Sequence, residues 1–97
     1  MILEMVFEWD ENKNRNNRMK HGISFKEAAT VFYDSDAIMF DDPDHSYGEE
    51  RFLILGVSLS KKLCIVSHCY RGNDDVIRII SARKATKTEA KIYREGL

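Results

Sequence analysis

Four arginines, Arg51, Arg71, Arg78 and Arg83, lie in or at the ends of segments that otherwise read as apolar β-strands. An unpaired charge on such a strand is costly, so each must reach water, meet an acid or meet a ligand. A single one would ordinarily be a structural ion pair, and Glu49 or Glu50 is a possible partner for Arg78. Four on adjacent strands point further. A guanidinium stays charged at any working pH and grips a phosphate with two parallel hydrogen bonds. A sheet face bearing several would hold a nucleic-acid backbone and stabilise a pentacoordinate phosphorane.

The histidines are the candidates for moving protons. His45 lies in an acidic loop, His21 ends a helical segment, and His68 sits on a strand among Cys64, Val66 and Tyr70. That neighbourhood suits a satisfied core histidine for His68. His21 suits the negative end of a helix dipole, and His45 is either a solvated loop residue or a functional one. The loop "DDPDH" offers oxygen ligands to a hard metal, but its spacing matches no calcium-hand pattern, and Pro43 favours an ordinary turn. No metal is therefore expected. The sequence carries no nucleophile elbow, Cys–His motif or glycine-rich phosphate loop. Cleavage of RNA would need none of these, because the 2′-hydroxyl is the nucleophile and the protein supplies position, a proton acceptor and cations.

Charge is segregated along the chain. Residues 1–33 hold five acids and five bases, residues 34–50 hold seven acids and no Lys or Arg, and residues 51–97 hold ten bases and four acids. A net charge of −1 thus conceals a C-terminal half of +6, which could face a polyanion or be tied to the acidic loop. The 43% apolar content argues for a folded core, and the length for a single domain, residues 1–97. No apolar run approaches a membrane span, and Glu4 and Glu8 do not suit a secretory leader, so a cytoplasmic location and no membrane partner are expected. Cys64 and Cys69 are five apart on one strand, point to opposite faces and are expected to be free thiols.

The elements that must position these groups follow from periodicity and caps. Residues 3–8 suit a first strand. Residues 10–20 suit a weak helix capped by Asp10 and ended by Gly22, with Trp9, Lys13, Asn17 and Lys20 on one polar face open to water or phosphate. In "ISFKEAATVF", Ser24 and Glu27 form a capping box, Ile23 and Ala28 a staple, and Phe25, Ala28, Ala29 and Phe32 one apolar stripe. Strands follow at 37–40, 51–59, 62–70 and 76–83, the last with apolar residues on both faces, as in a central strand. Thr86 and Glu89 then open a helix reaching about Glu95. The order predicts an α+β fold of four to five antiparallel strands, with two N-terminal helices and one C-terminal helix packed against them.

Three blocks in order, "FEWDENKNRNNRMKHGISFKEAATVF", "EERFLILG" and "RIISARKATKTEAKIY", resemble the BrnT-type toxins of bacterial type II toxin–antitoxin systems, over roughly residues 6 to 93. The chain departs from the family pattern at Lys61, where a glycine is common, and at "HCYR", where a threonine-containing version is commoner. The resemblance implies a RelE-like fold and a cofactor-free ribonuclease that arrests translation. It also implies neutralisation by a BrnA-like antitoxin with a ribbon-helix-helix domain, through which alone the pair would reach operator DNA. On this pattern Arg71, Arg78 and Arg83 would act as phosphate and transition-state ligands, and Glu49, Glu50 or His45 as the base. Arg51, Lys20, His21 and Lys84 would line the RNA groove, with Trp9 or Tyr70 available to stack on a base. The rival readings keep the fold without the chemistry: an RNA-binding module, a degenerate toxin, or a pure protein-interaction domain.

Overall fold

A computed structural model describes residues 4–96. The strands are β1 (Val6–Glu8), β2 (Ile38–Asp41), β3 (Phe52–Val57), β4 (Leu63–Arg71) and β5 (Val76–Lys84); the helices are α1 (Glu11–His21), α2 (Phe25–Thr30) and α3 (Lys87–Glu95). Short 3-10 turns occupy Val31–Tyr33 and Pro43–His45. One sheet runs β1-β5-β4-β3-β2. It is mixed, which corrects the all-antiparallel expectation: β1 lies parallel to β5, Val6 opposite Val76 and Glu8 opposite Arg78. Strand β5 is internal, between β1 and β4, as its two apolar faces imply; β4 is the middle strand, and its Cys64, Ile65, Val66, His68 and Cys69 are all buried.

The two sheet faces are covered unequally. On one, Ile54, Cys64, Val66, Ile79 and Ala82 pack against Ile23, Phe25, Ala28, Ala29 and Val31 of the α1–α2 region. On the other, Leu55 and Ile65 are buried towards the end where α3 contacts β3. Asp34 ties these parts together, accepting from the Val57 amide at 2.9 Å and from the Tyr93 hydroxyl of α3 at 2.7 Å.

Helix α1 is poor in intrinsic propensity, and its caps and one buried residue explain why it forms. Asp10 accepts from the Lys13 amide, Gly22 ends the helix at φ 71°, and Arg18, Lys20 and His21 crowd the negative end of the dipole. Asn17, which was expected on a solvated face, is buried instead. Beyond Arg78, β5 loses its β1 partner, and Asn17 takes that place: its Oδ1 accepts from the Ala82 amide at 3.0 Å, and its Nδ2 donates to the carbonyls of Ala82 and Ile23, both at 2.9 Å. One side chain therefore serves as a rung of sheet and fixes α1 on the edge of β5.

The two expected capping boxes differ. That of α3 is complete, with Thr86 and Glu89 exchanging bonds. At α2 only Ser24 caps; the Glu27 carboxylate turns away, accepting from Ser58 and Ser60 in the β3–β4 turn and lying 3.7 Å from Lys62 Nζ. These ligands hold Glu27 below the usual carboxylate range despite its partial burial. In that turn Lys61 takes φ 70°, the left-handed conformation that glycine adopts freely.

Candidate active site

The side chains of strands alternate faces, so Arg78 and Arg83, five residues apart, should point opposite ways. They do not. In the β4–β5 ladder Ser67 faces Ser81 while His68 faces Ile79, one step on β4 against two on β5. Ile80 is the extra residue of a β-bulge. The bulge restores one face to both arginines: Arg78 lies opposite Cys69, Arg83 opposite Ile65, and Arg71 opposite Val76, all away from the α1–α2 core.

On this face a groove of about 270 Å³ is lined by His21, Asp42, His45, Arg51 and Arg83, with Leu53, Ser67, Ile80 and Ser81 among its floor and walls. Different elements supply its functional groups. His21 comes from the end of α1, which Asn17 fixes on β5. Arg83 comes from β5 itself. His45 and Arg51 belong to the β2–β3 connection, which is folded back on itself. The Ser46 hydroxyl donates to the Asp42 carbonyl at 2.8 Å and accepts from the Arg51 amide at 2.9 Å, and the Asp42 amide donates to the Arg51 carbonyl at 2.9 Å. The loop thus brings the imidazole and the guanidinium to one rim.

Electrostatics separate the four arginines. Arg78 is paired with Glu8 at 2.7 Å, the residue opposite it on β1, and not with Glu49 or Glu50 as expected. Arg71 approaches the same carboxylate at 3.9 Å. Arg83 donates to both oxygens of Glu89, at 2.8 and 3.0 Å. That pair of hydrogen bonds holds Glu89 down at about 2 and pushes the Arg83 guanidinium upward. Three donations, including one to the Lys84 carbonyl, leave two of the five guanidinium N–H groups of Arg83 for a ligand. Arg51 stands apart: among the described residues its buried Nε has no hydrogen-bond partner, and Glu49 lies 4.0 Å from it. A buried guanidinium N–H with nothing to bond is where an anion is most welcome.

His45 reaches the groove through a paired ring. Its Nδ1 lies 3.0 and 3.1 Å from the two oxygens of Asp42. The remaining candidates lie elsewhere. Arg71 and Arg78 share the face but do not line the groove, and Lys20 is exposed on α1. Lys84 lies opposite Cys64, on the other face. Glu49 and Glu50 line a separate cavity of about 510 Å³ with Phe52, Tyr70 and Asp74. His68 is fully buried between Phe32, Phe52 and Tyr70, its Nδ1 3.1 Å from the Val66 carbonyl, and burial pushes its ring towards the neutral form. Trp9 is partly buried, packing edge-on to Phe25 at the border of the core while its indole N–H donates to Glu11 at 3.2 Å. Cys64 and Cys69 are buried free thiols on opposite faces, Cys64 pushed up to about 11 by burial. Asp42 entered the sequence reading only as a possible oxygen ligand in "DDPDH"; its pairing with His45 was missed, although the three-residue spacing across Pro43 was a usable signal.

The five-stranded mixed sheet and three helices of the described residues define an α+β protein of a known architecture. It superimposes on the crystal structure of the Brucella abortus ribonuclease toxin BrnT with a TM-score of 0.66 and 23% identity, covering 87% of this chain and 100% of that one. A search of curated proteins found no match. The model of the family described as the ribonuclease toxin BrnT of type II toxin–antitoxin systems matches residues 9–89, and the chain belongs to that family. Among the described residues no helix is long and apolar enough to cross a membrane.

Proposed function

We propose that the groove cleaves RNA without a metal ion, and that the protein thereby arrests translation until a ribbon-helix-helix antitoxin of the BrnA kind covers it. The carrying observation is the convergence of His45, His21, Arg51 and Arg83 on one concave surface, with Arg51 Nε left for a ligand. Arg51 and Arg83 hold the non-bridging oxygens of a phosphodiester. His45 takes the proton of the 2′-hydroxyl, whose oxygen bonds to phosphorus as the P–O5′ bond breaks. His21, protonated, returns a proton to the departing 5′-oxygen, so a 2′,3′-cyclic phosphate and a 5′-hydroxyl result. Arg71 and Arg78, outside the groove, extend the basic face along the strand. With its antitoxin the protein would reach operator DNA without touching it.

Ion pairing at Arg71, Arg78 and Arg83 supports a second reading, in which the face receives a partner protein and does no chemistry. Purified protein incubated with a long single-stranded RNA in chelator, and in parallel with a translation extract, separates the two. Cleavage that persists in chelator and fades in Arg51→Ala and Arg83→Ala supports the first. RNA left intact in both settings, with growth unaffected on induction, supports the second. RNA affinity that falls steeply with salt would further distinguish a phosphate-binding face from a protein-binding one.

A further inference from the structure

We propose that Asp42 is the positioning residue of the reaction, fixing His45 as the proton acceptor. This rests on the ribonuclease reading of the groove and adds to it the residue that decides which ring nitrogen does the work. Asp42 places both carboxylate oxygens within 3.0 and 3.1 Å of His45 Nδ1. A carboxylate only accepts, so the ring must carry its proton on Nδ1, which leaves the Nε2 lone pair free for the 2′-hydroxyl. Once Nε2 has taken that proton, the ring is cationic and the same carboxylate lies against it.

The geometry around the pair supports a built site. The Asp42 side chain is 13% exposed and His45 66% exposed, so the acceptor is set in the wall and the ring stands in the opening. Pro43 and Asp44 form a single 3-10 turn between them, and the His45 amide donates to the Asp42 carbonyl at 3.3 Å. Both residues line the same groove as Arg51 and Arg83. The main-chain groups of Asp42 secure the loop to Arg51 and Ser46, whereas its side chain serves His45. A substitution that keeps the backbone therefore isolates the second role.

The step balances without a further reactant. The 2′-O–H proton passes to His45 Nε2, the O2′–P bond forms, the P–O5′ bond breaks, and the 5′-oxygen is protonated by His21. Asp42 remains ionised throughout.

The test compares wild type, Asp42→Asn, His45→Ala and the double variant on a defined oligoribonucleotide, with far-ultraviolet circular dichroism and thermal unfolding confirming that each is folded. Asp42→Asn is expected to lower kcat by about 100-fold or more with KM little changed, as for a lost positioning of a general base. The double variant is expected to match His45→Ala, because a positioning residue has nothing left to position. Imidazole ¹⁵N shifts of the neutral ring should show the proton on Nδ1 in wild type and a redistribution in Asp42→Asn. Wild-type rates in Asp42→Asn, losses that multiply in the double variant, or a wild-type ring protonated on Nε2 would each overturn the inference. A wild type silent on both the oligonucleotide and translating ribosomes would instead overturn the ribonuclease reading, and the catalytic role of Asp42 with it.

Discussion

Replacing Asn17 with alanine should nearly unfold the edge on which the groove is built. The asparagine is 7% exposed and makes three hydrogen bonds: two donated, to Ala82 and Ile23, and one accepted, from the Ala82 amide. Each such bond contributes about 1 kcal/mol net, and stranding a buried backbone group adds about as much again, so Asn17→Ala should destabilise by about 3 to 4 kcal/mol. That is a large share of the roughly 5 to 15 kcal/mol a domain of this size possesses. Urea unfolding should show it as a lower midpoint at unchanged slope, and thermal unfolding as a fall on the order of 15 °C. Asn17→Asp refines the argument. Its carboxylate still accepts from the Ala82 amide but faces two carbonyls with no proton to offer. At neutral pH it should therefore be at least as damaging as alanine. Protonation restores one donor, so the folded state raises the carboxyl above its unfolded value of about 4; the deficit should shrink as pH falls through that raised value and level off once pH is below about 4. A loss under about 1 kcal/mol for Asn17→Ala, or an aspartate variant indifferent to pH, would refute the idea that this side chain completes the sheet.

Three further outcomes follow from particular contacts. Glu89 is held at about 2 by its bonds from Arg83, against an ordinary 4.5. A depressed carboxyl stabilises the fold above its unfolded value and loses that contribution as pH falls, so acid titration should show stability declining between about 4.5 and 2 through this group, and Glu89→Gln should flatten that window. Lys61→Gly should stabilise by about 0.5 to 1 kcal/mol in urea unfolding, because lysine is held at φ 70°. Gly56→Ala should destabilise by about 1 to 3 kcal/mol, since a Cβ there would lie 2.9 Å from Val31 Cγ1 and 3.0 Å from both Ala37 Cβ and Asp34 Oδ2, in a packed region that cannot yield at three points together.

What the sequence made legible is what local chemistry determines. The three helices and five strands were readable from caps and alternation, since Asp10, Ser24 and Thr86 each bond the amide three residues on. A core position for His68 and free thiols at 64 and 69 were readable from the same alternation, but the histidine is only half satisfied: Nδ1 meets the Val66 carbonyl, while the buried Nε2 has no partner among the described residues. Tertiary choices escaped. Glu27 has two claims on its carboxylate, the helix start and the β3–β4 turn, and only the fold shows that Ser58, Ser60 and Lys62 prevail. Asn17 looked solvated because nothing local reveals that β5 outruns its partner β1 and leaves an edge to be closed. The parallel pairing of β1 is equally non-local, since its partner lies seventy positions later.

The bulge is the most consequential of these, because it decides which cations can act together. Period-two counting separates Arg78 from Arg83, and a regular β5 would have placed one of them in the α1–α2 core. There a guanidinium would displace apolar contacts and require an acid that the core does not contain. Inserting Ile80 turns the strand by one residue, sends Ile79 and Ala82 into the core and leaves Arg78, Ser81 and Arg83 on the open face. The inserted residue also lines the groove itself. Each arginine then acquires an acid from a different element, Glu8 from β1 and Glu89 from α3. The pairs fix the cations without burying them, and Arg83, with two N–H groups unspent, stays available beside Arg51. Deleting Ile80 should therefore do more than shorten a strand. With the register regular, Arg78 and Arg83 fall on opposite faces, so the variant should lose both cooperative unfolding and RNA affinity, whereas Ile80→Val, which keeps the bulge, should retain both.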